Sequence, residues 1–408
     1  MRLLLCVCLL LALLFPACAL AGASPTLFIA TDLHYISPDL TDHGEYFTRM
    51  IAGGDGKMVH YCEEITDAFV QDVIAQQPDC LILSGDLTFN GAKKSHEDLA
   101  AKLRLIDQSG VPVYVLPGNH DVYRYAAATF SGNSYSLVQG TTSEDFASIY
   151  HDLGFDDAVS RDPYSLSYIA EPVPGIWILM LDVNTQFMPG AVAQNTFSWL
   201  DKVLAKAQET GKHVIAVSHQ NLYAHSSLLY EGYVIPNASM LHSRYEKYGV
   251  AVNLSGHLHM QHTLAPQDKT PEIATSALSV SPCQYGVIEM GEDQASYRTQ
   301  RVNVEVWAKA NGITDENLLN FPQYAAGFFA LTSIGQAAAQ LDSESDPSAM
   351  ATWLANLNSA YFSGRMDTVD PANEFAIRWQ ESDTFFGRYV KSILSESLRD
   401  HTQFSFPL

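Results

Sequence analysis

Short apolar runs rich in β-branched residues, each closed by polar ones, recur along the chain from Thr26 to about Val304. TLFIATDLH, CLILSGDL, VPVYVLPGNHD, GIWILMLDVN, HVIAVSHQN and VAVNLSGHLH are apolar on both faces, as the strands of a buried central sheet are. Between them, Met58 to Gln77, Ser95 to Gln108 and Phe197 to Thr210 carry helical spacing and close at Pro or Gly. EIATSALSV, QYGVIEM and ASYRTQRVNVEVW read as hairpin-connected strands. The pattern predicts an α/β layered domain with mixed sheets. Two stretches interrupt it: Pro38 to Lys57 and Tyr123 to Pro163 read as long loops leaving strand C-termini that carry polar residues, so both are candidates to cover a site. After Val304 the β signal stops. FPQYAAGFFALTSIGQAAAQL, PSAMATWLANLNSAYFSG and ANEFAIRWQESDTFFGRYVKSILSESLRDH have aromatic residues at helical core intervals, which predicts a small all-helical C-terminal domain or appendage over 305–408.

The chain has 408 residues, 47% of them hydrophobic, enough for more than one core. Its net charge of -22, from 45 acidic and 23 basic residues, argues against nucleic acid or an anionic membrane as partner, since both need a basic face. The first residues, MRLLLCVCLLLALLFPACALAGA, have an Arg, an apolar run from Leu3 to Phe15 and then small residues. The run is shorter than the ~20 residues of a membrane-spanning helix, so 1–23 reads as a secretory signal cleaved after Ala21 or Ala23. The expectation is export to the extracellular space or cell surface without a transmembrane anchor. FPAC ending at Cys18 is an imperfect lipoprotein signal, which makes lipidation at Cys18 the alternative. Beyond this segment Cys62, Cys80 and Cys283 form neither a disulfide framework nor a thiolate metal site.

The chemistry collects at the strand ends. DLH sets Asp32 and His34 two apart, SGDL brings Asp86, GNH brings Asn119 and His120, SHQ brings His219, and GHLH brings His257 and His259. Each alone is a weak signal. Together they lie at the C-terminal edge of an α/β sheet, where such folds bind ligands. A ligand set of two aspartates, one asparagine and four histidines contains no sulfur, which suits divalent or trivalent Mn, Fe, Zn or Co. Seven ligands exceed one tetrahedral ion and fit two ions sharing a carboxylate. Softer candidates are Tyr123 and Arg124 as substrate contacts, Arg124 being able to pair with a phosphate oxygen, and Lys57 in GGDGK. His225, His242 and His262 read as core or solvated histidines.

The ordered series DLH, GDL, GNHD, SH, GHLH resembles the calcineurin-like metallophosphoesterase family over nearly all of Thr26 to Val304. The resemblance implies a four-layer α/β/β/α sandwich with mixed sheets over 24–304. It implies Asp32, His34, Asp86 and His259 on a first metal, and Asp86 as bridge with Asn119, His219 and His257 on a second. His120 would face the substrate, and Asp121 would orient His120 or support the ligands. Two cations about 3.5–4 Å apart generate a bridging hydroxide for in-line attack, and an imidazole titrating near neutrality protonates the leaving alkoxide. Phe89 stands where purple acid phosphatases have a metal-binding Tyr, and GDLTFNG lacks the Asp-Arg pair of the serine/threonine protein phosphatases. The scaffold is more similar to bacterial relatives of class III cyclic-nucleotide phosphodiesterases. The implied activity is hydrolysis of a small-molecule or lipid-head-group phosphodiester, with a phosphomonoesterase or a non-catalytic metal-binding surface protein as the competing readings.

Overall fold

The computed structural model describes residues 24–122, 125–186, 188–341 and 345–408. Residues 1–23 with Cys18, and the candidate contacts Tyr123 and Arg124, lie outside the described residues.

Two large sheets stack face to face. The first has the order β17-β16-β15-β1-β2-β3. Its parallel strands are β1 (Thr26–Ala30), β2 (Cys80–Leu83) and β3 (Val113–Val115), and β15 (Gln284–Met290), β16 (Gln294–Arg301) and β17 (Gln403–Pro407) extend it antiparallel. The second has the order β13-β14-β12-β11-β8-β7-β6. It is built from β6 (Ser160–Arg161), β7 (Tyr168–Val173), β8 (Ile176–Met180), β11 (His213–Val217), β12 (Val250–Ser255), β13 (His262–Leu264) and β14 (Glu272–Ala274). Strands β8, β11, β12 and β14 run parallel. Two short hairpins complete the set, β4 (Ala128–Ser131) with β5 (Ser134–Leu137) and β9 (Asn184–Thr185) with β10 (Met188–Pro189).

The period of two sorts the apolar residues of the second sheet between two cores. Ile178, Met180, Ile215, Val217, Val252 and Leu254 join the core that contains β1 and β2. Their neighbours Trp177, Leu179, Val214 and Ala216 pack with Phe197, Leu200, Leu241 and Tyr245 of α5 (Thr196–Glu209) and α6 (Ala238–Tyr248). On the other side of the first sheet, Phe69 of α2 (Cys62–Gln76) meets Tyr285 of β15 with ring centroids 5.2 Å apart. α3 (Lys93–Gln108) lies beside α2, giving a mixed α/β sandwich.

Four features differ from the sequence pattern. Pro38 to Lys57 is not all loop: α1 (Glu45–Ala52) buries Phe47 and Ile51, an i, i+4 pair too short to stand out by periodicity. The stretch from 123 to 163 contains the β4-β5 hairpin and α4 (Ser143–Ile149), which opens with a Thr142–Asp145 capping box. The strand read through ASYRTQRVNVEVW stops at Arg301, and α7 (Val304–Ala310) follows with Val304 and Ala308 on its buried face. The C-terminal region is helical through α8 (Glu316–Leu319), α9 (Phe321–Ala338), α10 (Pro347–Ser363), α11 (Glu374–Glu381) and α12 (Phe385–Leu394), yet it ends in β17, so it is not all-helical. β17 covers the edge of β16 and buries Phe406 opposite Ala295.

The helices form their own core from Met350, Leu354, Leu357, Tyr361, Trp379, Val390 and Ile393, and this core also takes in Leu258 and Met260. Those two residues alternate with His257 and His259 in GHLHM. The loop that carries two candidate ligands therefore seats its apolar residues in the helical domain.

Candidate metal centre

Parallel strands leave their C-terminal ends at one edge, and the turns that follow β1, β2, β3, β11 and β12 converge there. Asp32, His34, Asp86, His219, His257 and His259 gather with His120 into three overlapping groups whose donor atoms lie within 4.8 Å of one another. The groups are Asp32, His34 and His259, then His34, Asp86 and His120, then Asp86, His219 and His257. Asp86 and His34 each belong to two. Asn119 joins through its Oδ1, 3.2 Å from His219 Nε2.

The distances describe one continuous cluster. His34 Nε2 is 3.2 Å from His259 Nε2, and Asp32 Oδ1 is 3.4 Å from His259 Nε2. Asp86 Oδ2 is 3.3 Å from His219 Nε2 and 4.0 Å from the Nε2 atoms of both His34 and His120. Outer contacts fix which nitrogen faces inward, because a carbonyl oxygen only accepts. His219 Nδ1 donates to Ser84 O at 2.9 Å, so its Nε2 points at Asp86; His257 Nε2 donates to Gly232 O at 2.9 Å, leaving Nδ1 for the cluster.

The backbone is held in an unfavourable shape to achieve this. Among the described residues nine non-glycines have positive φ, and five of them are Asp32 (53°), His34 (46°), Asp86 (48°), His257 (68°) and His259 (60°). Each costs about 1–2 kcal/mol, and such costs concentrate where function over-determines geometry. Two glycines permit the close approach: a Cβ on Gly118 would lie 2.2 Å from Asp86 Oδ1, and one on Gly256 would lie 2.0 Å from Thr31 Oγ1.

The electrostatics favour cations. Burial opposes charge on Asp32 and Asp86, but the facing histidines outweigh it and hold both carboxyls down, Asp86 well below the usual range. Burial likewise opposes a charged His219, yet Asp86, Asp32 and the Ser84 carbonyl raise it to about 9. Burial keeps His34 well below its ordinary value and lowers His257 to about 4, so both offer neutral imidazole. Asp32 Oδ1 is buried without a hydrogen-bond donor, an acceptor suited to a metal ion. A sulfur-free set of carboxylate, amide and imidazole, with one carboxylate common to two groups, fits a dinuclear first-row centre.

His120 is partly open, its side chain 24% exposed. Its backbone N–H donates to Asp86 Oδ1 at 2.7 Å and its Nδ1 donates to Phe89 O at 2.7 Å, which turns Nε2 toward the cluster. Asp121 does not orient that ring. Its buried carboxylate accepts from the backbone N–H groups of Gly118, Leu87 and Thr88 and from Thr88 Oγ1 at 2.8–3.0 Å, tying the GNH turn to the GDL turn. Burial and then Asp86 push its pKa up to about 7 against those donors. A backbone carbonyl, Phe89 O, orients the ring, and no side-chain pattern announces it.

His225, His242 and His262 stay apart from this cluster. His225 and His262 pair through their Nδ1 atoms at 2.9 Å, and His242 stacks on Tyr223. Sequence reasoning missed a reciprocal amide pair, Asn184 with Gln220 at 2.9 Å each way, in which Asn184 Nδ2 also donates to Pro117 O. It braces the GNH turn against the residue after His219, and only the meeting of the segments that follow β3, β8 and β11 reveals it.

Residues 25–261 match the family described as calcineurin-like phosphoesterase. Residues 303–400 match that described as the C-terminal domain of cyclic nucleotide phosphodiesterase. A protein of Fibrobacter succinogenes named as a probable cyclic nucleotide phosphodiesterase is 24% identical over 228 residues, covering 53% of this chain and 75% of its own. A solved dimetal phosphatase from Danio rerio is 14% identical, covers 68% of this chain and 96% of its own, and superposes with a TM-score of 0.48.

Proposed function

The chain belongs to the calcineurin-like phosphoesterase family and is a metal-dependent phosphoesterase, and from that premise we propose that it is an exported phosphodiesterase with His120 as proton donor. The observation that carries this reading is the overlap of the three donor groups at Asp86 and His34, with His120 Nε2 beside them. The match of 303–400 to a cyclic nucleotide phosphodiesterase domain, and the Fibrobacter relative, support a diester. The substrate class is a small-molecule or lipid-head-group diester.

In this proposal Asp32, His34, Asp86 and His259 hold one ion, and Asp86, Asn119, His219 and His257 hold the other. When bound, two such cations bring the pKa of water toward neutrality and neutralise the phosphoryl oxygens. The protein's part is orientation and proton transfer. Asp86 Oδ1 holds the backbone N–H of His120 and Phe89 O holds its Nδ1, and in this proposal Nε2 delivers its proton to the leaving alkoxide. Asp121 keeps the two turns in register.

The test is hydrolysis of cyclic nucleotides, phospholipid head-group diesters and phosphomonoesters by the metal-reconstituted protein. Faster turnover of a diester supports the proposal. Turnover of monoesters alone replaces it with a phosphomonoesterase, and two bound metals with no turnover of either class replaces it with a binding protein. Export is supported by the pattern of 1–23, and intact-mass analysis of the exported protein reads it: a start at Gly22 or Ser24 marks simple cleavage, and a lipid-shifted mass at Cys18 marks an anchor. Protein retained with its first residues intact overturns export.

A further inference from the structure

We propose that Lys57 is a substrate contact of the phosphoesterase site, held there by Asp55 and, through Gly56, by the C-terminal helical domain. Lys57 Nζ lies 3.0 Å from Asp55 Oδ2, and the same oxygen lies 3.7 Å from His259 Nδ1. The other nitrogen of that ring faces His34 at 3.2 Å. One carboxylate oxygen thus stands between the ammonium and the metal cluster. The lysine side chain is only 14% exposed, unusual for a residue that normally extends into water. Among the described residues its one ion-pair partner is Asp55, which leaves N–H donors for a further acceptor.

The surrounding charge gives this lysine a task. A phosphoester anion approaches a chain of net charge -22. A fixed ammonium at the rim offsets that repulsion and supplies a charge-assisted hydrogen bond to a phosphoryl oxygen.

The segment is clamped from the helical domain. Gly56 has φ +91°, and a Cβ there would lie 2.6 Å from the Phe329 ring of α9. Gln336 of the same helix donates from Nε2 to Gly54 O at 3.1 Å. On the other flank Met58 N donates to Ser279 O at 2.8 Å, and Ser279 Oγ donates to Asp32 O at 2.8 Å. The loop is therefore fastened both to α9 and to the backbone of a candidate ligand, which gives the helical domain a part in positioning the site.

The proposal rests on the phosphoesterase reading, and its test separates the two. Full-length protein loaded with Mn is titrated with inorganic phosphate by calorimetry, which needs no turnover, alongside steady-state kinetics and metal analysis. For K57M we expect phosphate affinity to fall and KM to rise about tenfold or more, a smaller change in kcat, and unchanged metal content, with K57R recovering part of the loss. D55N moves the same quantities in the same direction, and K57M/D55N is no worse than K57M alone. Phosphate affinity and KM unchanged in K57M overturn the contact. Loss of metal in K57M overturns it too, since the residue is then structural. A wild type that binds phosphate but hydrolyses no ester refutes the functional reading and leaves the contact standing.

Discussion

Asp32, His34, Asp86, His257 and His259 all occupy the left-handed backbone region, a cost that packing alone does not repay. Their side chains meet as a result, and the chemistry follows from the meeting. Asp86→Ala removes the carboxylate common to two donor groups; we expect loss of both metals by elemental analysis and turnover at background. His120→Ala should retain both metals and lower kcat by ~10²–10⁴ on a substrate with a poor leaving group. Full activity of His120→Ala on such a substrate assigns the proton donor elsewhere. Gly118→Ala tests the close approach: a methyl 2.2 Å from Asp86 Oδ1 must displace that carboxylate, so metal occupancy should drop although no ligand was changed.

Single elements carry more than one duty. In GHLHM the histidines serve the metal cluster while Leu258 and Met260 enter the helical core, so this loop couples catalytic geometry to the stability of the C-terminal region. β17 is five residues long, with only Phe406 deeply buried, and it reads as nothing in particular at the end of a helical stretch. Its pairing with β16 is visible only once the edge of the first sheet exists in space. Phe406→Ala should cost about 3 kcal/mol by denaturant unfolding, in the range for a buried aromatic truncation. A loss near zero would mean that β17 adds little to the sheet.

At the scale of the molecule, the seam between the sandwich and the helices contains an ionisable chain. Glu396 accepts from Tyr361 OH at 3.2 Å and faces His262 Nε2 at 3.4 Å, with Tyr389 nearby. Burial raises its carboxyl to about 7, and burial keeps His262 far below its ordinary value and uncharged. A carboxyl raised in the folded state binds its proton more tightly there than in the unfolded chain. The stability it contributes is complete below about pH 4.5 and is lost as pH rises through about 7. Glu396→Gln mimics the protonated form, so its melting temperature relative to wild type should climb across that window. A constant offset from pH 5 to 8 would show that Glu396 titrates normally.

Much of this protein was written in its order of residues. Apolar runs and their polar ends located β1, β2, β3, β8, β11 and β12, and the spacing of DLH, GDL, GNHD, SH and GHLH picked out the residues that gather at the metal centre. Those signals are local: a strand declares itself by adjacent side chains, and its C-terminal turn lies next to it in the chain. The structure alone decided what depends on separated segments. It turned Asp121 to the GDL turn, brought Phe89 O to His120, set Asp55 between Lys57 and His259, and returned the last strand to the first sheet. The physical reason is that buried carboxylates, carbonyls and strand edges take whatever partner the packing brings within about 3 Å, and sequence distance sets no limit on that.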